Sequence, residues 1–196
     1  MIEYLLILTA GFLTAMVGAI PFGLVNMTVM NKSMKGDYWE AFRISHGAAL
    51  IEVAYGFIAV FAGSLLYSYF DQNAYAGYIA AGVLAAGGLV FFLKRKQAIG
   101  SKKPRYTGFM QGVFLNLVSF QVFIYWIIAV SLLSSRIIIS QNSLTVILFL
   151  SGIWLGKMAA LILYMQLGGN VLSKMRIVSN NINTLIGIVL FGMAIF

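Results

Sequence analysis

The chain has 196 residues, 61% of them hydrophobic and only 9% charged, carries a formal net charge of +8 and contains no cysteine. With a mean hydropathy of +0.94 it lies far outside the balance of a soluble domain. Disulfides, thiolate metal sites and dithiol redox chemistry are excluded, and a single histidine leaves little basis for zinc catalysis.

A hydrocarbon core about 30 Å thick takes roughly 20 apolar residues per helical crossing. Six runs meet that length, near 4–31, 41–69, 74–93, 107–134, 144–166 and 178–196. The sequence therefore predicts an all-α polytopic membrane protein with six transmembrane helices. They form one transmembrane domain over 1–196, with a first half at 1–93, a cytoplasmic loop at 94–106 and a second half at 107–196. The long alternating strands of an outer-membrane barrel are absent. Glu3, not a basic residue, precedes the first run, which is also too long for a signal core, so a retained helix is expected.

Lysine and arginine in short loops mark the cytoplasmic side. Of 13 such residues, eleven fall on one side: Lys32, Lys35 and Arg43; Lys94, Arg95, Lys96, Lys102, Lys103 and Arg105; Lys174 and Arg176. Arg136 is on the other side and Lys157 lies within a span. The expected location is the inner membrane, with both termini outside. The basic residues sit in short connections with no basic domain behind them, which fits membrane topology and not nucleic acid.

In the first run, "VGAIPFGLVN" at 17–26 places Pro21 inside an apolar helix, where it removes a backbone donor and clashes with the carbonyl four residues back. Gly18 and Gly23 loosen the same backbone, and Asn26 brings a side chain able to satisfy freed groups or meet a ligand. Two readings stand: a proline kink that shapes the bundle, or a broken helix whose backbone groups form part of a central site. Non-helical backbone at membrane depth has to be shielded by protein or face a cavity.

In the second run Glu52 lies well inside apolar sequence, where a carboxylate is costly enough to face the interior or a partner. Ser45, Tyr55 and Gly56 fall near the same helical face, whereas His46 lies off it and reads as structural. Gly77, Ala81 and Ala85 in the third run, and Gly152 with Gly156 in the fifth, recur at intervals that let helices approach closely in lipid. The fourth run carries Gly112, Asn116 and Ser119 along one face. These hydrogen-bond neighbouring helices or line a polar route. Lys157 in the fifth run is the expected counter-charge of Glu52, as a stabilising pair or as one broken during transport.

The halves invite superposition. "GFLTAM" at 11–16 aligns with "GFMQGV" at 108–113, and "HGAALIEVAY" at 46–55 can be laid over "LGKMAALILY" at 155–164. Consecutive three-span halves insert with opposite orientation, as in many secondary transporters. Two inverted three-helix repeats compete here with chance similarity between apolar stretches.

Across essentially all six spans the sequence resembles the LysE/RhtB family of amino-acid exporters. The family's Pro-Gly-Pro element in its first helix, commonly followed by Val-Asn, corresponds to Pro21-Phe22-Gly23-Leu24-Val25-Asn26, which keeps the glycine and asparagine. Its Asn-Pro-Lys element in the fourth helix, preceded by another asparagine, corresponds to the stretch from Asn116 to Gln121, which keeps the upstream asparagine alone. The acidic residue in span two and the closing "TLIGIVLFGMAIF" match the family as well.

The resemblance implies export of amino acids or related small polar metabolites, driven by the proton or membrane potential, by a divergent member. The implied partners are a small-molecule substrate and the bilayer, with no cofactor and no metal. The candidate pathway comprises Pro21, Gly23, Asn26, Ser45, Glu52, Asn116, Ser119 and Lys157. A metal-cation exporter calls for several membrane carboxylates or imidazoles, and only Glu52 qualifies clearly. An enzyme or redox carrier lacks a thiol pair, a carboxylate dyad or a nucleophile grouped with a base. An accessory membrane protein without transport activity is the remaining alternative. Cargo, coupling ion and oligomeric state are not written in these residues.

Overall fold

The computed structural model of the protein describes residues 2–20, 23–72, 106–134 and 142–166. The runs predicted at 74–93 and 178–196, nearly all of the connection at 94–106, and Pro21 lie outside the described residues. The chain divides into two compact units, one of Met1–Leu65 with Pro104–Gly169 and one of Leu66–Lys103 with Asn170–Phe196. The first holds the helices that position the site.

All elements among the described residues are helical. They are α1 (Ile2–Ala19), α2 (Leu24–Met34), α3 (Tyr38–Gln72), α4 (Gly108–Val118), α5 (Phe120–Ser134) and α6 (Ser143–Gln166). Among the described residues three stretches are long and apolar enough to cross a membrane, Ile2–Ala19, Tyr38–Ala62 and Ser143–Gln166. The pair Gly108–Val118 and Gln121–Ser131, bent by 69°, makes a fourth if read as one broken span.

Local chemistry sets the ends. The residue before a proline is biased away from helical dihedrals, and α1 stops at Ala19 just short of Pro21, its last turn tightened by Ile20 N–H donating to Val17 O at 3.1 Å. At the other end of α2, Gly36 adopts φ +80°, with its N–H donating to Ser33 O at 2.9 Å and Asp37 N–H to Lys32 O at 3.1 Å. That is the Schellman termination, for which glycine supplies the left-handed residue. Lys32 then reaches Asp37 at 3.3 Å across the turn.

Packing between spans is carried by close backbone approach, as expected where lipid provides no hydrophobic drive between helices. A Cβ built on Gly152 would overlap Leu8 O, and one on Gly156 would overlap Phe12 O. Tyr164 farther along α6 bonds Ala19 and Ile20. Contacts therefore advance in the same direction along α1 and α6, and the two helices are parallel. On the other side, Gly112 abuts Ile44 O, Gly47 abuts Phe109 O, and Asn116 reaches Ala48 O. Thus α3 and α4 are parallel too.

Two apolar clusters form the core. One gathers Ala15, Ala59, Trp126, Phe149 and Ile153, and the other Val25, Val29, Ile44, Ala48 and Leu161. Counting fully buried members, the second cluster ends along α3 at Ala48 and the first begins at Ala59, with Val53 and Tyr55 packed against its edge; along α6 the first ends at Ile153 and the second holds Leu161. Between these fully buried members of α3 and α6 lies a layer of helix that carries polar side chains, bordered by aromatic residues of the two clusters.

Candidate functional site

That intervening layer holds the polar groups. Glu52 projects from α3 and Lys157 from α6, with Lys157 Nζ 2.7 Å from Glu52 Oε2. Their side chains are 1% and 5% exposed, so the pair is sealed from solvent. The contact is between charges and is not an aligned hydrogen bond, and Oε2 has no hydrogen-bond donor. The other carboxylate oxygen, Oε1, accepts a long 3.4 Å hydrogen bond from Trp126 Nε1 on α5. Trp126 is itself fully buried, edge-on to Phe149. The pairing expected from sequence is present.

Two helix ends flank this pair. A helix leaves its last carbonyls without intrahelical donors, and at membrane depth each has to find another. After α1, Ala19 O accepts Asn26 Nδ2 at 2.8 Å and Tyr164 OH at 3.0 Å, and Ile20 O accepts the same hydroxyl at 3.1 Å. After α4, Leu115 O accepts Ser119 Oγ at 2.7 Å, Asn116 O accepts Ser119 N–H at 3.0 Å, and Leu117 O accepts Tyr55 OH at 3.3 Å. The chain resumes as α2 and α5.

The two breaks are neighbours. A Cβ on Gly23, at the start of α2, would have Gln121 Nε2 of α5 as its nearest neighbour, at 3.8 Å. Tyr125 of α5 lies against Gly18 and donates to Thr14 O at 2.6 Å. Breaks and ion pair thus share one level, between the two apolar clusters.

Of the predicted pathway residues, the structure brings Gly23, Asn26, Glu52, Asn116, Ser119 and Lys157 into this layer. Pro21 lies outside the described residues. Ser45 is fully buried but donates to Ala41 O at 2.9 Å, a bond within its own helix that leaves it two turns from Glu52. His46 packs between the rings of Phe42 and Trp154, at 4.5 and 5.5 Å. Among the described residues no three of His, Asp and Glu group as metal ligands.

Sequence reasoning missed three participants, Trp126, Tyr125 and Tyr164. Tyr164 alone had a usable signal, since it falls opposite Tyr55 when 155–164 is laid over 46–55.

The LysE type translocator family model matches residues 16–196, which takes in both breaks and both charges. The chain belongs to the LysE type translocator family. No curated protein and no solved structure matches it. As a LysE type translocator with helices long and apolar enough to cross a bilayer, it is a membrane protein of a transporting family.

Gly23 tests whether the layer serves passage or packing. Its backbone is extended (φ −80°, ψ 173°), and a Cβ there would make an ordinary van der Waals contact with Gln121 Nε2 and no clash. Nothing in this conformation requires a glycine. Gly23→Ala is expected to leave melting in detergent within about 0.5 kcal/mol of the parent, as for a substitution that meets no clash, and yet to slow transport. Unaltered transport would remove Gly23 from the pathway.

Proposed function

We propose that this LysE type translocator is a secondary exporter of amino acids or related small polar metabolites, working by alternating access across the inner membrane. The single observation that carries the reading is the polar layer: two adjoining helix breaks and a buried Glu52–Lys157 pair, closed by apolar clusters on both sides. Charges at that depth are costly in lipid and mark routes for solutes or protons. Broken helices present backbone carbonyls and amides to such a solute.

Six spans built as two inverted halves belong to the same reading. Because α3 and α4 are parallel neighbours, an odd number of crossings between them fits this reading, and the sequence has one apolar run of spanning length there, at 74–93. The register that pairs Gly11 with Gly108 also pairs Phe12 with Phe109, and the register that pairs Tyr55 with Tyr164 pairs Gly47 with Gly156. The contact of Gly47 with Phe109 O is matched by that of Gly156 with Phe12 O. Two registers chosen from sequence thus meet in matching contacts, as an inverted duplication requires. The bias of eleven basic residues to one side supports a cytoplasmic 94–106 connection and both termini outside.

One observation favours a second reading, an accessory protein without transport: the pair is sealed in this conformation. An exporter caught closed on both sides seals it equally. Proteoliposomes loaded with an amino-acid mixture and given a proton gradient separate the two. The exporter reading predicts release of a subset of the mixture above that of protein-free vesicles. Release of none contradicts it.

A further inference from the structure

We infer that Tyr55 and Tyr164 are a matched pair of positioning residues, each holding the broken helix of the opposite half, and that transport exchanges their grips. This rests on the alternating-access reading above. Tyr55 OH donates to Leu117 O at the end of α4, and Tyr164 OH donates to Ile20 O beyond the end of α1. Tyr55 and Tyr164 are equivalent in the overlay of 46–55 on 155–164. Carried on unchanged from Gly11 and Gly108, the overlay of 11–16 on 108–113 makes Ile20 equivalent to Leu117. Donor and acceptor therefore correspond separately, on different helices, and the two hydrogen bonds are one interaction made twice.

The two copies are not in the same state. Tyr164 grips two carbonyls, Ala19 O at 3.0 Å and Ile20 O at 3.1 Å, whereas Tyr55 holds Leu117 O alone at 3.3 Å. Tyr164 shares its one proton between two carbonyls at the α1 break, the tighter grip, and Tyr55 reaches one carbonyl at the α4 break. Alternating access gates one repeat against the other, so a closed conformation that is asymmetric between inverted halves has a counterpart, biased to the other side of the membrane, in which the halves trade roles. The tight grip then passes to Tyr55 on the α4 break, and Tyr164 keeps the loose one. Removing one hydroxyl handicaps the state in which that tyrosine grips tightly and favours its opposite. Phenylalanine retains the ring and its packing, so the bias comes from the hydroxyl.

The absence of cysteine from the chain supplies a clean test. Single reporters Gly23→Cys and Gln121→Cys, on the facing sides of the two breaks, are labelled in intact membrane vesicles by a membrane-impermeant maleimide applied from one side and then from the other. With Tyr164→Phe, labelling is expected to rise from one side of the membrane and fall from the other. With Tyr55→Phe the sides are reversed. A structural role would lower thermal stability in both variants without side-specific change. Labelling that moves in the same direction in both variants, or in neither at both reporters, overturns the proposal. The readout needs no substrate, so its failure is distinct from a failure to find exported amino acids.

Discussion

Lys157→Met should be among the most destabilising single changes in the protein, costing about 3–5 kcal/mol, because it leaves the Glu52 carboxyl buried without the one cation that pairs with it among the described residues. Its long bond from Trp126 Nε1 is too weak to compensate. Glu52→Leu should cost a similar amount by stranding the ammonium. The double variant, Glu52→Leu with Lys157→Met, is a different case, since two apolar side chains of similar volume replace a pair that each needed the other. It is expected to melt at or above the parent temperature. Thermal unfolding in detergent, followed by tryptophan fluorescence across the four proteins, checks this as a double-mutant cycle. Equal melting of all four would mean the charges do not interact.

The second large effect is steric. Gly112 of α4 meets the Ile44 carbonyl of α3 so closely that a single methyl would overlap the oxygen, with Ala48 N next in line. The clash is with backbone, which has no rotamer to yield, so Gly112→Ala has to push the two helices apart. The expected loss is at least the ~1–3 kcal/mol of an overpacked core. It should also lengthen the 2.7 Å bond from Asn116 to Ala48 O, one turn along the same interface. The same melting assay reads it, with Gly23→Ala, which meets no clash, as the control. A neutral Gly112→Ala would mean that α3 and α4 are less intimately packed than the geometry requires.

Much of the fold was legible because bilayer insertion writes itself as length and apolarity. The runs at 4–31 and 144–166 anticipated α1 with α2, and α6, within a few residues. The interruption announced by Pro21, Gly23 and Asn26 appears as the gap between Ala19 and Leu24, and Asn26 satisfies the freed Ala19 carbonyl. Gly152 and Gly156 bring α6 against α1 as their spacing foretold.

The break between α4 and α5 was not legible as a break. No proline or glycine stands there, and Ser119 and Asn116 read equally well as polar positions on a continuous helix. What ends α4 is tertiary and local hydrogen bonding together: Ser119 turns back on Leu115 and Asn116, and Tyr55 comes from another helix to hold Leu117 O. Ser45 illustrates the converse. Helical spacing set it on the Glu52 face, but a serine hydroxyl finds the carbonyl of the preceding turn more readily than a partner two turns away. Trp126 was hidden for a simpler reason: an aromatic residue in an apolar run carries no mark of the carboxylate it touches.

The layer at membrane depth is costly, and this account holds that it is kept for passage and not for stability. The double variant Glu52→Leu with Lys157→Met tests that most directly, because it should fold as well as the parent while losing the charges. Reconstituted beside the parent in vesicles loaded with the amino-acid mixture under a proton gradient, it is predicted to release no more than protein-free vesicles do. Release at the parental rate from the double variant would contradict the account and leave the ion pair as a structural fixture.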